Sequence, residues 1–259
     1  MRIALAAVLL CFAAGCISAP PPKPNLVELA RRQNAVGADL ARQFESKLHY
    51  VTDPEVNRYL DGIASMLAAT SQDPRLAGVP VAVISDLGKQ WRSFGLPGRR
   101  IYLPIGLLRQ LRFDNEVAAV IALEDANVIL RHAIDHLAHE SASRRGKTTS
   151  AAAAGEAPHV TGTEDFLGPS GIFSFDGDEM KESVRTAIQL MYGAGFDIRG
   201  LLEIWLKLQA NPARSPYSPK VVEELLDFTR STISLYAPLR NPIVGSVGFK
   251  TIRKRIERL

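Results

Sequence analysis

The sequence predicts a mostly helical α+β domain carrying a small β-sheet. Two observations support this: apolar residues recur at helical spacing through most of the chain, and two short apolar runs at residues 79–84 and 100–104 flank a turn signature. A third is the composition: 46% hydrophobic and 22% charged residues over 259 positions is enough to bury a sizeable core and excludes collagen-like, coiled-coil and wholly disordered chains. The formal charge of +4, from 31 Lys and Arg against 27 Asp and Glu, is too thinly spread to argue for nucleic acid.

Residues 1–15 contain one basic residue, Arg2, and an apolar run over 3–14. Twelve residues rise roughly 18 Å as a helix, short of the roughly 30 Å hydrocarbon core, so this is a secretory signal rather than a membrane span. Ala13, Ala14 and Gly15 lead into Cys16. That pattern resembles a bacterial lipoprotein signal, in which cleavage leaves Cys16 as the lipid-bearing first residue, although Ala13 stands where Leu is usual. The alternative is conventional cleavage near Ala19 without lipid. Ile17 rather than Asp follows the cysteine, which by resemblance to enterobacterial sorting directs the protein to the outer membrane, facing the periplasm. Residues 16–24 then form a proline-rich, extended tether, and 25–259 the folded domain. The remaining cysteine, Cys11, lies inside the signal. The domain therefore has no thiol, which excludes disulfides, cysteine–zinc knuckles and a cysteine nucleophile.

Within the domain, residues 26–48 have helical spacing, and Asp53-Pro54 starts a second helix with Val56, Leu60, Ile63, Met66 and Leu67 on one face. The two strands follow, joined through Phe94-Gly95-Leu96-Pro97-Gly98. Asp114 caps a long helix that runs to about residue 140. Further helices are expected over 179–192, 198–208 and 219–232, before a basic carboxyl-terminal segment. Residues 141–177 shift toward Ser, Thr, Ala and Gly and read as a mobile segment. There is no G-x-S-x-G elbow and no phosphate-binding G-x-x-x-x-G-K loop.

The long helix holds an incomplete motif. Zinc peptidases of the H-E-x-x-H type put two histidines at i and i+4 on one helix face, with a Glu that deprotonates metal-bound water. The corresponding window here is Leu123-Glu124-Asp125-Ala126-Asn127. Glu124 stands in the general-base position, but Leu123 and Asn127 fill the ligand positions.

Four segments in order, DPEVNRYLDGIASMLA (53–68), FGLPGRRIYLPIGLLRQL (94–111), NEVAAVIALEDANVILRHA (115–133) and YGAGFDIRGLLEIWLKL (192–208), resemble peptidase family forty-eight of the zinc metallopeptidases, the HtpX/BepA-like proteases. The resemblance implies a zincin-like metallopeptidase fold, with the small sheet beside the active-site helix. It puts the third metal ligand at Met180 and its partner acid at Val184, with Glu179 and Glu182 close enough to rescue a carboxylate. It also puts Asn241 where an auxiliary His is frequent. Leucine, asparagine and methionine are poor zinc ligands, so the resemblance implies a degenerate member that binds no zinc.

Alternatives remain beside this. His132 and His136 repeat the i, i+4 spacing, with Asp135 between them and His139 beyond. His132 matches a histidine common in the family, and residues 136–145 read as a solvated helix end. Glu124 is either a relic facing an empty cleft or a structural carboxylate paired with Arg131 or Arg185, and the cost of burying an unpaired carboxylate favours the second. Phe94, Gly95, Leu96 and Pro97 form either a peptide-binding edge or a plain hairpin turn. The basic end over 250–258 contacts anionic lipid or is simply a solvated helix face.

The sequence thus implies a lipid-anchored periplasmic pseudopeptidase. Its role would be that of a chaperone or scaffold in outer-membrane protein assembly, with unfolded outer-membrane proteins or their assembly machinery as partners and no nucleic acid. Two other classes stay open. One is an active zinc metalloendopeptidase with a shifted ligand set, and the other is a structural envelope lipoprotein.

Overall fold

In the computed structural model, residues 25–147 and 171–259 are described, with side chains as far as residue 139 in the first stretch. The signal at 1–15, lipidation at Cys16, the tether at 16–24 and most of the segment 141–177 lie outside the described residues.

The first helix, α1 (Leu26–Phe44), starts where the Asn25 side chain accepts from the Val27 amide at 3.0 Å. It buries Leu40, Ala41 and Phe44 and gives way to a 3-10 turn at Glu45–Lys47, short of the expected residue 48. Helix α2 (Pro54–Ser71) has the predicted start. Pro54 is in its first turn and the Asp53 carboxylate accepts from the amides of Glu55 and Val56. Of the predicted face, Val56, Leu60, Ile63 and Leu67 are buried, whereas Met66 is 41% exposed, because a residue directly before Leu67 is turned about 100° away from it around the helix.

Strands β1 (Val81–Ile84), β2 (Phe94–Leu96) and β3 (Arg100–Pro104) form one sheet in the order β1-β3-β2. β1 runs parallel to β3, with Val81 opposite Ile101. β2 runs antiparallel to β3, with Phe94 opposite Tyr102. The predicted turn signature is therefore an edge strand followed by its turn. Gly98 (φ +64) takes the left-handed conformation that closes it.

After the short helix α3 (Ile105–Leu108), α4 (Asp114–Leu130) passes through the centre of the molecule. It is packed by α2, by the sheet, and by two later helices, α6 (Gly177–Gly193) and α7 (Gly200–Ala210). Every residue from 114 to 128 is buried. The expected single helix to residue 140 is in fact two, because Arg131 adopts φ +70 and α5 (His132–Lys147) restarts beyond it. The buried Arg75 guanidinium donates to the Ile129 carbonyl at 2.9 Å, taking an acceptor that a continuous helix would offer to residue 133.

Asp114 also departs from expectation. It is the first helical residue rather than the cap, and its carboxylate accepts from the Tyr59 hydroxyl of α2 and from the amide and hydroxyl of Ser246. Ser246 in turn caps α9 (Val247–Ile256), and Arg255 of α9 reaches Asp53 at the start of α2. Helix α8 (Pro219–Ile233) closes the remaining side through a hydrogen bond of 2.8 Å from the Trp205 ring nitrogen of α7 to the Thr229 hydroxyl. Among the described residues no helix is long and apolar enough to cross a membrane.

The contact between α1 and the turn after β2 is limited by backbone. A Cβ on Gly37 would stand 2.1 Å from the Pro97 carbonyl oxygen, whereas one on Gly62 would meet nothing within 4 Å. Gly37→Ala is expected to destabilise the protein by more than about 2 kcal/mol, and Gly62→Ala to stabilise it by about 0.8–1 kcal/mol. Urea unfolding of both variants checks the pair.

Candidate functional site

The incomplete motif lies on the central turns of α4, where the helix faces β2 and α6. β2 approaches closely because Gly95 has no side chain: a Cβ there would sit 3.2 Å from Val128 Cγ2 and 3.4 Å from the Glu124 carbonyl oxygen. On the other side, α6 starts with a capping box in which Asp176 and Glu179 satisfy each other's backbone amides. That start fixes which residues of α6 point toward α4.

Leu123, Glu124 and Met180 line one cavity of about 30 Å³, with Arg92, Ser93 and Tyr217 among the other walls. That is room for about one water molecule. Asn127 lies one turn on, joined to Glu124 by a hydrogen bond. The structure therefore brings together residues 123, 124, 127 and 180.

Their polar atoms form a chain of hydrogen bonds. The Ser93 hydroxyl donates to Glu124 Oε1 at 2.6 Å, and Asn127 Nδ2 donates to Glu124 Oε2 at 3.1 Å. The Asn127 amide oxygen accepts from the Ser183 hydroxyl at 2.6 Å. Met180 Sδ accepts from the Tyr217 hydroxyl at 3.4 Å.

Arg92, 8% exposed, supplies the local positive charge. Its guanidinium donates to the carbonyls of Phe173 and Pro216. Burial pushes the Glu124 carboxyl above the usual carboxylate range, against the opposing pull of Ser93, Asn127 and Arg92. Asp125, also buried, is pushed well up by burial and then by Glu124. Burial and the Glu124 charge push the Tyr217 hydroxyl up as well, so it stays a donor.

These residues do not fit zinc. Leu123 has no donor atom, the Asn127 oxygen already accepts from Ser183, and Met180 offers a thioether to a hydroxyl. Both Glu124 oxygens are engaged. Glu182 is exposed on the solvent side of α6. The Glu179 carboxylate turns toward α5 instead, accepting from His136 Nε2 at 2.7 Å and lying 3.9 Å from His132 Nδ1. Both histidine rings pack against Phe175, so His136 is docked rather than solvated. Among the described residues no group of three or more His, Cys, Asp or Glu side chains is arranged to hold a metal ion.

Glu124 is partnered, though not by the arginines considered from sequence. Arg131 pairs with Asp135, and Arg185 lies over the Phe228 ring at 4.8 Å. Ser93, Ser183, Arg92 and Tyr217 carry no signal in the sequence, because they reach the site from three separate places: the loop before β2, α6 and the loop before α8.

Phe94, Gly95, Leu96 and Pro97 lie at the sheet edge and are all buried. Gly37 of α1 abuts Pro97, and the Phe173 ring packs on Phe94 at 5.1 Å. Ile172, Phe173 and Phe175, the last part of the segment expected to be mobile, are buried here.

No family model matches the chain. It is similar to a Vibrio cholerae protein named "Putative beta-barrel assembly-enhancing protease", with 24% identity over 258 residues. The match covers 89% of this chain and 52% of that protein, so the chain spans about half the length of this relative. The likeness supports the relationship to such peptidases that the four sequence segments imply.

Two outcomes follow from the raised carboxyls and the hydrogen-bond chain. The folded protein keeps protons on Glu124 and Asp125 that the unfolded chain releases above a pKa of about 4. This part of the stability is present at low pH and falls as pH rises through the raised folded values. Glu124→Gln flattens that fall, measured by urea unfolding at about pH 5 and about pH 8. Ser183→Ala strands the Asn127 oxygen and costs about 1–3 kcal/mol in the same assay.

Proposed function

We propose that this chain is a pseudopeptidase of the HtpX/BepA-like type, with a zincin-like fold and no zinc centre. It acts as a chaperone or scaffold in outer-membrane protein assembly. The observation that carries this reading is the hydrogen-bond chain Ser93–Glu124–Asn127–Ser183, which ties up the general-base position and one ligand position with protein partners. Without a metal the pKa of a water here is not lowered, so the H-E-x-x-H route to a nucleophile at neutral pH is closed. The similarity to a protein named for enhancing β-barrel assembly supplies the assembly context. Cys16 carries the lipid and holds the domain on the periplasmic face of the outer membrane, and the partners are unfolded outer-membrane proteins or their assembly machinery.

A second reading draws on a different observation. Phe94–Leu96 and Pro97 are buried under α1 and Phe173. An edge covered in this way suits a structural envelope lipoprotein that uses no peptide groove.

Metal analysis of the purified full-length protein, a casein cleavage assay and an aggregation assay with a denatured outer-membrane β-barrel protein separate the readings. The proposal expects no stoichiometric zinc, no chelator-sensitive cleavage and slowed aggregation. Stoichiometric zinc lost in Glu179→Ala, with cleavage lost in Glu124→Gln, would replace it with an active metalloendopeptidase using a shifted ligand set. Absence of zinc, of cleavage and of any effect on aggregation would favour the structural reading.

A further inference from the structure

Away from this site, the loop before α4 and the amino-terminal end of α9 share one surface. A Cβ on Gly245 would stand 3.0 Å from the Phe113 ring, and Ser246 bonds to Asp114, so the two segments are direct neighbours. Three large apolar side chains are exposed there: Phe113 at 46%, Val244 at 37% and Val247 at 82%.

The cations around them fall into two groups. Arg253 pairs with Glu257 at 3.2 Å, and Arg255 with Asp53 at 3.1 Å. Arg112, Lys250, Lys254 and Arg258 are exposed, and none of the four forms an ion pair among the described residues. Val247, Lys250 and Lys254 recur at intervals of three and four residues on α9, with Arg258 just past its end. Phe249, Ile252 and Ile256 occupy the opposite, buried face. The nearby acids Asp53, Glu55 and Glu257 are engaged by Arg255, Arg58 and Arg253. The free stripe is therefore not neutralised from within the protein.

We propose that this face docks on an anionic phospholipid surface. Val247, Val244 and Phe113 enter the boundary between headgroups and acyl chains, while Arg112, Lys250, Lys254 and Arg258 lie against the phosphates. An apolar tip bordered by unpaired cations on an amphipathic helix has the chemistry of an interfacial contact. The uncompensated positive charge beside the apolar tip is complementary to the negative surface of such a bilayer. This docking goes beyond the assembly role and does not depend on lipidation at Cys16. It would set which way the domain faces once the protein is at the membrane.

The test is quenching of a tryptophan placed at the tip. Full-length protein carrying Val247→Trp is mixed with brominated-lipid vesicles of phosphatidylcholine, alone or with phosphatidylglycerol, in forms with and without Cys16→Ser. The native Trp91 and Trp205 are buried, so protein without the substitution gives the background. Quenching is expected only with phosphatidylglycerol, weakening at high salt and by about five-fold for each charge removed in Lys250→Gln and Lys254→Gln. Circular dichroism confirms that these variants, all at exposed positions, stay folded. Equal quenching on neutral vesicles, no quenching on either, or undiminished quenching in Lys250→Glu/Lys254→Glu would overturn the proposal. So would loss of a co-purifying protein in that variant with vesicle binding intact, which would assign the face to a protein partner.

Discussion

Helix α4 has no solvent face over its first fifteen residues, yet it carries six acidic or amide side chains, and the fold is organised around that conflict. A buried polar group without a partner costs on the order of 1–3 kcal/mol, and a buried charge more. Asp114 is met by Tyr59 and Ser246, which ties α4 to α2 and to the start of α9. The Asn115 amide donates to the Asp197 carbonyl just before α7, and Glu116 accepts from Lys207 within α7. Glu124 is met from the strand side by Ser93, and Asn127 from α6 by Ser183. Five of the six are met by hydrogen bonds, mostly from other elements, while Asp125 Oδ2 and Asn115 Oδ1 have no partner among the described residues. The contacts that are made set the relative positions of α2, the sheet, α6, α7 and α9.

The same constraint explains what fills the candidate site. Removing a metal from between a helix and its neighbours would leave donors, acceptors and charge with nothing to do. Here the space holds about one water, and the Glu124 carboxylate and the hydroxyls of Ser93 and Tyr217 that line it all have protein partners. Arg92 provides positive charge beside Glu124, and Tyr217 covers the thioether of Met180. The result is a polar cluster that joins the loop before β2, α4 and α6, in which the carboxylate serves packing.

Local signals were enough to read much of this from the chain. The Asp53-Pro54 start, the bounds of β3 and most of the apolar face of α2 each depend on residues close in sequence, where capping and periodicity act. The break at Arg131 could not be read, because Arg75 causes it from more than fifty positions away, and the helix formers on both sides give no warning. Asp114 looked like a cap because its residue type favours one, but long-range partners claim its carboxylate. In the site, the proximity of residues 123, 124 and 180 is what the family-ordered segments imply. The partners of Glu124 and Asn127 could not be read, since serines before an edge strand and within a helix carry no distinguishing pattern.

The hydrogen-bond chain also bears on the direction in which such a protein can evolve. Asn127 serves two neighbours at once, donating to Glu124 and accepting from Ser183. Replacing it with histidine to recover a ligand would disturb both contacts before any ion could repay the loss. Replacing Met180 with glutamate would set a second carboxylate in a cavity that already holds one. Either substitution alone therefore lowers stability, since each disturbs contacts that the present residues satisfy. The cluster thus limits which residues positions 127 and 180 accept, because a change at either one is felt by partners on more than one element.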